Sequence, residues 1–175
     1  MKQIILVRHA ETEHIASGSK GMHRNDSVLS ERGHRQASST AKFINGKYTY
    51  ESVFCSIYHR AIETAKIINK KDKPIFQTSS FGEYFLRDDG SGAESTDMAL
   101  SRSMSKLYSM FDVYDSIVIV AHSAISKSIF QALTNITFEE ASKLYNNTGE
   151  VHVLRYDWKQ GDNNWREIES FIPED

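Results

Sequence analysis

Short apolar runs alternate along this chain with longer segments in which apolar residues recur at helical spacing. The short runs, rich in β-branched residues, predict strands near 2–7, 52–56, 75–77, 116–121, 150–157 and 165–170. The longer segments predict helices near 30–45, 58–71, 96–112, 123–134 and 138–145. An alternation of strands and helices favours a mostly parallel sheet covered by helices on both faces. We therefore expect an α/β fold, a three-layer α/β/α sandwich.

Two polar segments interrupt this order. Residues 14–28 are rich in Ser, Gly, His and Asn, and residues 88–95 have a similar composition. Neither segment shows a sustained hydrophobic period, so we predict loops. Neither separates two halves able to fold alone, and 175 residues suit one compact core. We therefore expect residues 1–175 to form a single domain, with both loops over a site.

Composition narrows the range of partners. The formal net charge is -2 and the pI is about 6.4, so no basic field is available to bind nucleic acid or an anionic membrane. The apolar run at residues 4–7 is too short for a signal-peptide core. No stretch approaches the roughly 20 apolar residues of a membrane span. We expect a cytoplasmic protein without a membrane or nucleic-acid partner.

The only cysteine, Cys55, excludes an internal disulfide and a multi-cysteine zinc site. It lies in the predicted strand 52–56, where a small buried apolar residue is a more frequent use of cysteine than a reactive thiol.

Candidate chemistry lies where predicted strands end. Arg8 and His9 follow the first apolar run, Arg60 opens the helix after the second, and His122 follows the run 117–121. Because the carboxyl ends of parallel strands meet at one edge of a sheet, these side chains are expected to converge there. Two guanidinium groups beside a helix N-terminus suit a phosphate.

The segment Leu6-Val7-Arg8-His9-Ala10-Glu11-Thr12 resembles the signature of the histidine phosphatase superfamily, the phosphoglycerate mutase-like clan named for its Arg-His-Gly sequence. The resemblance continues in order to about residue 130, through Leu29-Ser30-Glu31-Arg32-Gly33 with Gln36-Ala37, Ser56 with Arg60-Ala61 and Thr64-Ala65, Glu83 with Gly92-Ala93-Glu94-Ser95, and Val120-Ala121-His122. It implies a phosphoglycerate mutase-like fold and the small phosphatase branch of this superfamily.

The resemblance assigns roles to four of these residues. His9 would be the nucleophile that accepts a phosphoryl group, and His122 a second imidazole that stabilises it during transfer. Arg8 and Arg60 would bind its equatorial oxygens. A neutral imidazole attacks phosphorus, while fixed donors must meet the charge on three oxygens. Arginine suits this task because its fork stays protonated and can bind two oxygens.

The resemblance also makes Glu83 the candidate general acid that protonates the leaving oxygen. Such an acid must hold a proton near neutral pH. Asp88, Asp89 and Glu94 are rivals nearby in the sequence.

Three positions depart from the family pattern. Ala10 replaces a frequent glycine, and Ser123 follows His122 where glycine is also common. The backbone N–H of Ser123 remains able to donate to a phosphate. Ile15 stands where many relatives carry a phosphate-binding asparagine, which weighs against a mutase and against a bisphosphate substrate.

The remaining histidines lack the spacing of metal ligands, and the implied chemistry needs neither metal nor cofactor. We interpret them as surface or loop residues, of which the first two could line the site: His14, His23, His34, His59 and His152.

We therefore favour a metal-independent phosphatase that hydrolyses a phosphomonoester, a small phosphorylated metabolite above all, through a phosphohistidine intermediate. A mutase is the nearest rival, but only 39 positions (122 − 83) separate Glu83 from His122, which leaves little chain for a lid that excludes water. A protein phosphohistidine phosphatase is a second rival, although compact relatives of that kind usually lack the acid region around Glu83. A non-catalytic phosphate-sensing domain is a third. Substrate identity and oligomeric state, a homodimer included, stay open.

Overall fold

The computed structural model of the protein describes residues 1–18, 27–84, 94–156 and 165–174. The strands within these ranges are β1 (Gln3–Arg8), β2 (Ser52–Ser56), β3 (Ile75–Thr78), β4 (Ser116–Ala121), β5 (Val151–Tyr156) and β6 (Trp165–Phe171). The α-helices are α1 (Glu13–Ala16), α2 (Glu31–Lys47), α3 (His59–Ile68), α4 (Thr96–Phe111), α5 (Ser123–Thr134) and α6 (Phe138–Ser142), and a short 3-10 helix spans Ser79–Phe81.

One six-stranded sheet organises these elements, in the order β3-β2-β4-β1-β5-β6. The four strands from β3 to β1 run parallel, whereas β5 pairs antiparallel with β1 and β6 pairs antiparallel with β5. The sheet is therefore mixed, with a parallel portion at its centre and an antiparallel edge. The α/β class predicted from the sequence is confirmed.

Helices cover both faces of the sheet because strand residues alternate between two apolar cores. Ile4 and Leu6 of β1 pack with residues of α4 and α5 on one face. Ile5 and Val7 pack with residues of α2 and α3 on the other. Strands buried on both faces consist of nearly uninterrupted apolar residues, which is what β1 and β4 contain. Cys55 belongs to the second core and is fully buried, and burial raises the pKa of its thiol to about 12.

Strand register brings the carboxyl ends of β1, β2 and β4 to one edge of the sheet. Arg8 pairs with Ala121 at the end of β4, and Cys55 of β2 pairs with Val120. The residues that follow these strands therefore emerge side by side, where open α/β sheets bind ligands.

Element boundaries differ from the sequence prediction at a few points. The predicted loop 14–28 contains part of α1, whose N-cap Thr12 accepts a hydrogen bond from the Ile15 backbone. Residues 19–26 of that loop, and most of the predicted loop 88–95, lie outside the described ranges. Helix α6 ends at Ser142 rather than 145, and Tyr145 beyond it has a left-handed φ of 51°. In the described ranges, no helix is both long and apolar enough to cross a bilayer.

Candidate active site

Three strand ends supply the centre of the candidate site. His9 follows β1, His122 is the N-cap of α5 after β4, and Arg60 lies in the first turn of α3 after β2. All three side chains are buried, with residue exposures of 3%, 1% and 3%, respectively. The two imidazole ring centroids are 5.2 Å apart, and the Arg60 guanidinium contacts both rings. The convergence predicted from the sequence is therefore observed.

Hydrogen bonds from Arg60 define which imidazole nitrogens lack a proton. Arginine only donates, so Nε of Arg60 donates to Nε2 of His9 at 3.2 Å and Nη2 donates to Nδ1 of His122 at 3.2 Å. The proton of a neutral His9 then lies on Nδ1, which donates to the Ala10 carbonyl oxygen at 2.8 Å. Nε2 of His9 thus has the lone pair that a nucleophile for phosphorus requires, and without substrate this lone pair accepts from Arg60.

Arg8 approaches the same edge from the end of β1. Its Nη1 donates to the carbonyl oxygens of Tyr145 at 3.0 Å and Asn146 at 2.7 Å. Its Nε is buried and has no hydrogen-bond partner among the described residues, so this donor suits an incoming anion. Burial lowers the pKa of Arg8, against the attraction of Glu150 and Glu83. Burial also lowers the pKa of Arg60 to about 10, which leaves it protonated at neutral pH.

Aromatic and hydroxyl contacts fix Arg60 in this arrangement. The guanidinium carbon lies 4.9 Å from the centre of the Tyr58 ring, and the same ring is 5.1 Å from the His122 ring. The Thr64 hydroxyl donates to the Arg60 carbonyl oxygen at 2.7 Å and accepts from the Ala10 backbone N–H at 3.1 Å. Thr64 thereby joins helix α3 to the chain immediately after His9.

The segment Leu29–Gly33 and Gln36 support the site without reaching its centre. The Ser30 hydroxyl, at the N-cap of α2, accepts from the Gly33 backbone N–H at 3.0 Å and donates to Glu11 at 2.8 Å. A Cβ on Gly33 would lie 2.0 Å from the Glu11 carbonyl oxygen, so only glycine fits there. Gln36 accepts from the Glu11 backbone N–H at 3.0 Å. These motif residues hold helix α2 against the chain that follows His9.

Glu83 lies against the N-terminus of α5. Its two carboxylate oxygens accept from the backbone N–H groups of Ala124 and Ile125, each at 3.2 Å. Burial lowers the pKa values of Arg8 and Arg60, and the negative charge of Glu83 opposes this effect at both arginines. Oε1 also accepts from the Tyr84 backbone N–H at 3.3 Å, so Oε2 is the oxygen that has a lone pair left for the proton that a general acid must carry.

The rivals of Glu83 are less suited or lie outside the described ranges. Glu94 forms a bidentate pair with Arg102, at 2.7 and 2.8 Å. Arg102 also donates to the carbonyl oxygens of Ser80 at 2.6 Å and Gly82 at 2.9 Å, so this pair holds the chain immediately before Glu83. Asp88 and Asp89 lie outside the described ranges.

Two of the three departures from the family pattern, Ser123 and Ile15, have defined surroundings. The Ser123 hydroxyl donates to the Tyr145 carbonyl oxygen at 2.8 Å, the oxygen that also accepts from Arg8. Ser123 thus binds the same backbone turn as the arginine. Ile15 lies on α1 and is half-buried.

One histidine was placed wrongly by the sequence analysis. His152 lies in β5 with an exposure of 3%, not on the surface or in a loop, and its imidazole bridges the carboxylates of Glu150 and Glu167. His34 and His59 are exposed, His14 lies on α1, and His23 is outside the described ranges. The one sequence signal was the spacing of Glu150 and His152, two apart in a strand, which places both side chains on the same face of the sheet.

A metal centre has no counterpart in the described part of the chain, where no group of three or more His, Cys, Asp or Glu side chains is arranged to hold an ion. The polar groups at the site are instead two imidazoles, two guanidinium groups and one carboxylate. This set of donors binds and transfers an oxyanion.

Comparison with known proteins agrees with this arrangement. No curated protein sequence matches the chain. A structure of Bacillus stearothermophilus YhfR is 19% identical, with a TM-score of 0.81 and coverage of 96% of both chains. A mycobacterial glucosyl-3-phosphoglycerate phosphatase in complex with VO3 is 19% identical, with a TM-score of 0.78 and coverage of 99% of this chain and 100% of that chain.

A phosphoserine phosphatase mutant from Entamoeba histolytica in complex with phosphoserine is 20% identical, with a TM-score of 0.74 and coverage of 97% of this chain and 96% of that chain. At these identities the similarity shows a shared fold. Residues 4–88 match a sequence family described as the histidine phosphatase superfamily, branch 1. This segment contains the Arg8-His9 signature, Arg60 and Glu83. Residues 4–88 therefore belong to the histidine phosphatase superfamily by sequence, and the whole chain has the fold of the two phosphatases named above.

Proposed function

We propose that the protein is a metal-independent phosphatase that hydrolyses a small phosphomonoester through a phosphohistidine on His9. The observation that carries this proposal is the position of His9 Nε2. It holds a lone pair, and the Arg60 guanidinium that donates to it at 3.2 Å also donates to His122. A phosphoryl group arriving at this nitrogen meets the nucleophile and the positive charge together.

In the first step, His9 Nε2 forms a bond to phosphorus while the bond from phosphorus to the ester oxygen breaks. Arg60 and Arg8 stabilise the negative charge on the equatorial oxygens of the transferring group. His122 adds its Nε2–H, since its Nδ1 accepts from Arg60. Glu83 transfers its proton to the ester oxygen, which leaves as an alcohol.

In the second step, a water molecule attacks the phosphohistidine. The ionised Glu83 takes a proton from this water, the bond between phosphorus and His9 Nε2 breaks, and inorganic phosphate forms. His9 returns to its neutral state and Glu83 to its protonated state. The cycle consumes one water and one ester and needs no metal.

A cavity beside α5 has the size of a small-molecule site, although neither Glu83 nor the two histidines of the site line it. Its volume is about 330 Å³, and its lining includes Tyr84, Ala124, Lys127, Ser128 and Gln131. This volume falls at the lower end of the range for small-molecule sites, about 300 to 1,000 Å³. Ala124 donates its backbone N–H to Glu83, so the cavity lies beside the proposed general acid. Proteins with the same fold include phosphatases named for phosphoserine and glucosyl-3-phosphoglycerate, both small phosphorylated metabolites.

Phosphate release tests the proposal, with p-nitrophenyl phosphate and a panel of phosphometabolites in EDTA. The panel includes a bisphosphate and a phosphohistidine peptide. We expect turnover of the monoesters and a loss of at least about 10⁴-fold in the variant His9→Ala, because the nucleophile is removed. The variant His34→Ala, at an exposed histidine of α2, is the matched control and keeps the wild-type rate.

Three results would contradict the proposal. Turnover that EDTA abolishes would show metal catalysis. Activity confined to the peptide would favour a protein phosphohistidine phosphatase, and phosphate transfer from the bisphosphate without net hydrolysis would favour a mutase.

A further inference from the structure

A buried chain of ionisable groups lies beneath the site, and the proposed mechanism does not use it. Nε2 of His152 is 2.8 Å from a Glu150 oxygen, and Nδ1 is 2.5 Å from a Glu167 oxygen. The side chains of His152 and Glu150 are 4% and 5% exposed, and that of Glu167 is 34% exposed. The Tyr145 ring, 4.4 Å away, and the Phe130 ring, 5.4 Å away, enclose the imidazole.

The geometry of these three hydrogen-bonded groups makes His152 a cation. Each ring nitrogen faces a carboxylate, so both nitrogens donate and the ring carries two protons. Burial acts to lower the pKa of His152, but the hydrogen bonds to Glu150 and Glu167 outweigh it and raise that pKa above its ordinary value. Burial likewise acts to raise the pKa of Glu150, yet His152 and two backbone N–H groups lower it to about 2.

Glu150 organises the turn that connects α6 to β5. One of its oxygens accepts from the Tyr145 backbone N–H at 2.8 Å, and the other accepts from the Asn147 backbone N–H at 2.9 Å. Two backbone N–H groups of this turn therefore donate to one carboxylate. The carbonyl oxygens of Tyr145 and Asn146 in the same turn both accept from Nη1 of Arg8.

The same turn also contacts His9 and Ser123. The Gly149 backbone N–H donates to the His9 carbonyl oxygen at 3.1 Å, and Ser123 donates to the Tyr145 carbonyl oxygen at 2.8 Å. A shift of the turn would therefore move the acceptors of Arg8 and the backbone of His9 together.

We propose that Glu150, held by His152 and Glu167, is a positioning residue that fixes Arg8 for phosphate binding through the 145–149 turn. The inference rests on the proposed function insofar as Arg8 binds phosphate. Its structural part, the coupling of Glu150 to Arg8, is independent of any substrate. Glu150 itself touches neither the nucleophile nor the expected phosphate.

A double-mutant cycle between Glu150→Gln and Arg8→Ala tests the proposal. Glutamine keeps the size of Glu150, but its NH2 group opposes a backbone N–H and so releases one side of the turn. The first measurement is the affinity for inorganic phosphate by calorimetry at one pH. We expect Glu150→Gln to weaken phosphate binding about tenfold when Arg8 is present and less than about twofold in the Arg8→Ala background.

The second measurement is the free energy of unfolding of the same four proteins, which needs no ligand. We expect non-additive losses, because Glu150 and Arg8 bind the same turn. The matched control is Glu169→Gln, an identical substitution on β6, where Glu169 binds Lys47 and Tyr48 away from the turn. It should leave phosphate affinity unchanged.

The two measurements separate the proposals from each other. Glu150→Gln could cause the same loss of phosphate affinity, or the same loss of unfolding free energy, with and without the Arg8 side chain. Either result would overturn the positioning role and leave Glu150 a purely structural residue. If Glu150→Gln failed to fold, His152→Gln would take its place, since it removes the cation that holds Glu150. If the wild-type protein turned over no phosphomonoester while the unfolding energies remained coupled, the proposed function would fail and the positioning role would stand.

Discussion

The two halves of the chain contribute different kinds of groups to one site. The half that ends near Glu83 supplies side chains with chemistry of their own: two guanidinium groups, the imidazole of His9 and a carboxylate. The half that begins at Glu94 supplies one imidazole, that of His122, and otherwise backbone groups. The N–H groups at the start of α5 bind Glu83, and the carbonyl oxygens of the 145–149 turn bind Arg8.

This difference explains why the first half of the sequence contains more recognisable motifs than the second. A side chain that acts chemically restricts the residue type at its position, so it leaves a motif. A backbone carbonyl restricts only the conformation, which many sequences adopt. The family match covers residues 4–88, whereas the fold extends over the whole chain. The comparison predicts that changes in the first half remove chemistry and that changes in the second half alter geometry.

Apart from substitution of the nucleophile His9, substitution of Arg60 is expected to reduce turnover most. The variant Arg60→Ala removes the donor to both imidazoles, and we expect kcat/KM to fall about 10³-fold, or about 4 kcal/mol of transition-state stabilisation. Arg35→Ala is the control, because Arg35 is an exposed arginine of α2 and its loss makes the same change in net charge. Steady-state kinetics on p-nitrophenyl phosphate measures both. A loss smaller than about tenfold would show that Arg60 is not central to the transition state.

A pair of glycines in α2 tests the supporting part of the first half. In Gly33→Ala the new Cβ would lie 2.0 Å from the Glu11 carbonyl oxygen, so helix and strand end must separate. We expect a loss of about 3 kcal/mol in the free energy of unfolding. Gly46→Ala on the same helix has no atom within 4 Å of its Cβ. It should stabilise the helix by about 0.5 kcal/mol. Urea denaturation of both variants measures the contrast, and equal effects would refute the packing argument.

The fold was largely predictable because its signals are local. The apolar runs of β1, β2 and β4 lie within one or two residues of their predicted bounds. Helices α2 and α6 begin after Ser30 and Thr137, residue types that favour a helix N-cap, and both hydroxyls accept a backbone hydrogen bond. The end of α6 was not predictable. The chain leaves the helix at Lys143, and Tyr145 beyond it has a left-handed φ that its residue type does not favour.

The site was predictable to the same extent for the same reason. Arg8, His9, Arg60 and His122 follow strands whose ends the sequence marks, and the structure brings them together. His152 was misplaced because its partners depend on the pairing of β5 with β6, and neither strand has a recognised motif. Whether a polar strand residue faces water or two carboxylates is decided by tertiary contacts alone.

Glu83 joins the two halves, and its substitution should produce a selective defect. In Glu83→Gln the proton donor is lost while hydrogen bonding at the start of α5 is partly retained. We expect kcat on alkyl phosphates to fall about 50-fold and kcat on p-nitrophenyl phosphate to fall less than about threefold, because nitrophenolate leaves without a proton. Glu31→Gln is the matched control, since Glu31 is an exposed carboxylate of α2 and the substitution makes the same change in charge. Equal losses on both ester types would remove Glu83 as the general acid.

The smallest expected effect is the change in unfolding free energy that depends on the charge of His152. It tests whether the second half of the chain supports the site through geometry. The pKa of His152 is raised in the folded protein, so its contribution to stability is fully present below the unfolded value of about 6.5 and is lost as pH rises through the folded value. The facing ionisable groups are Glu150, Glu167 and Tyr145. The pKa of Glu150 is lowered to about 2, so its carboxylate stays ionised over this range.

Wild type should therefore exceed His152→Gln in unfolding free energy at a pH of about 6, below the ordinary histidine pKa of about 6.5. We expect this difference to narrow as the pH is raised to about 9. Urea denaturation at each pH measures it, with His34→Gln as an exposed control. Phosphate affinity of the wild type, corrected for the ionisation of phosphate itself, should weaken over the same interval, because Glu150 loses its cationic partner and the turn that holds Arg8 loosens. A stability difference that is constant with pH would mean that His152 holds Glu150 as a neutral ring. The second half would then support the site by packing rather than by charge.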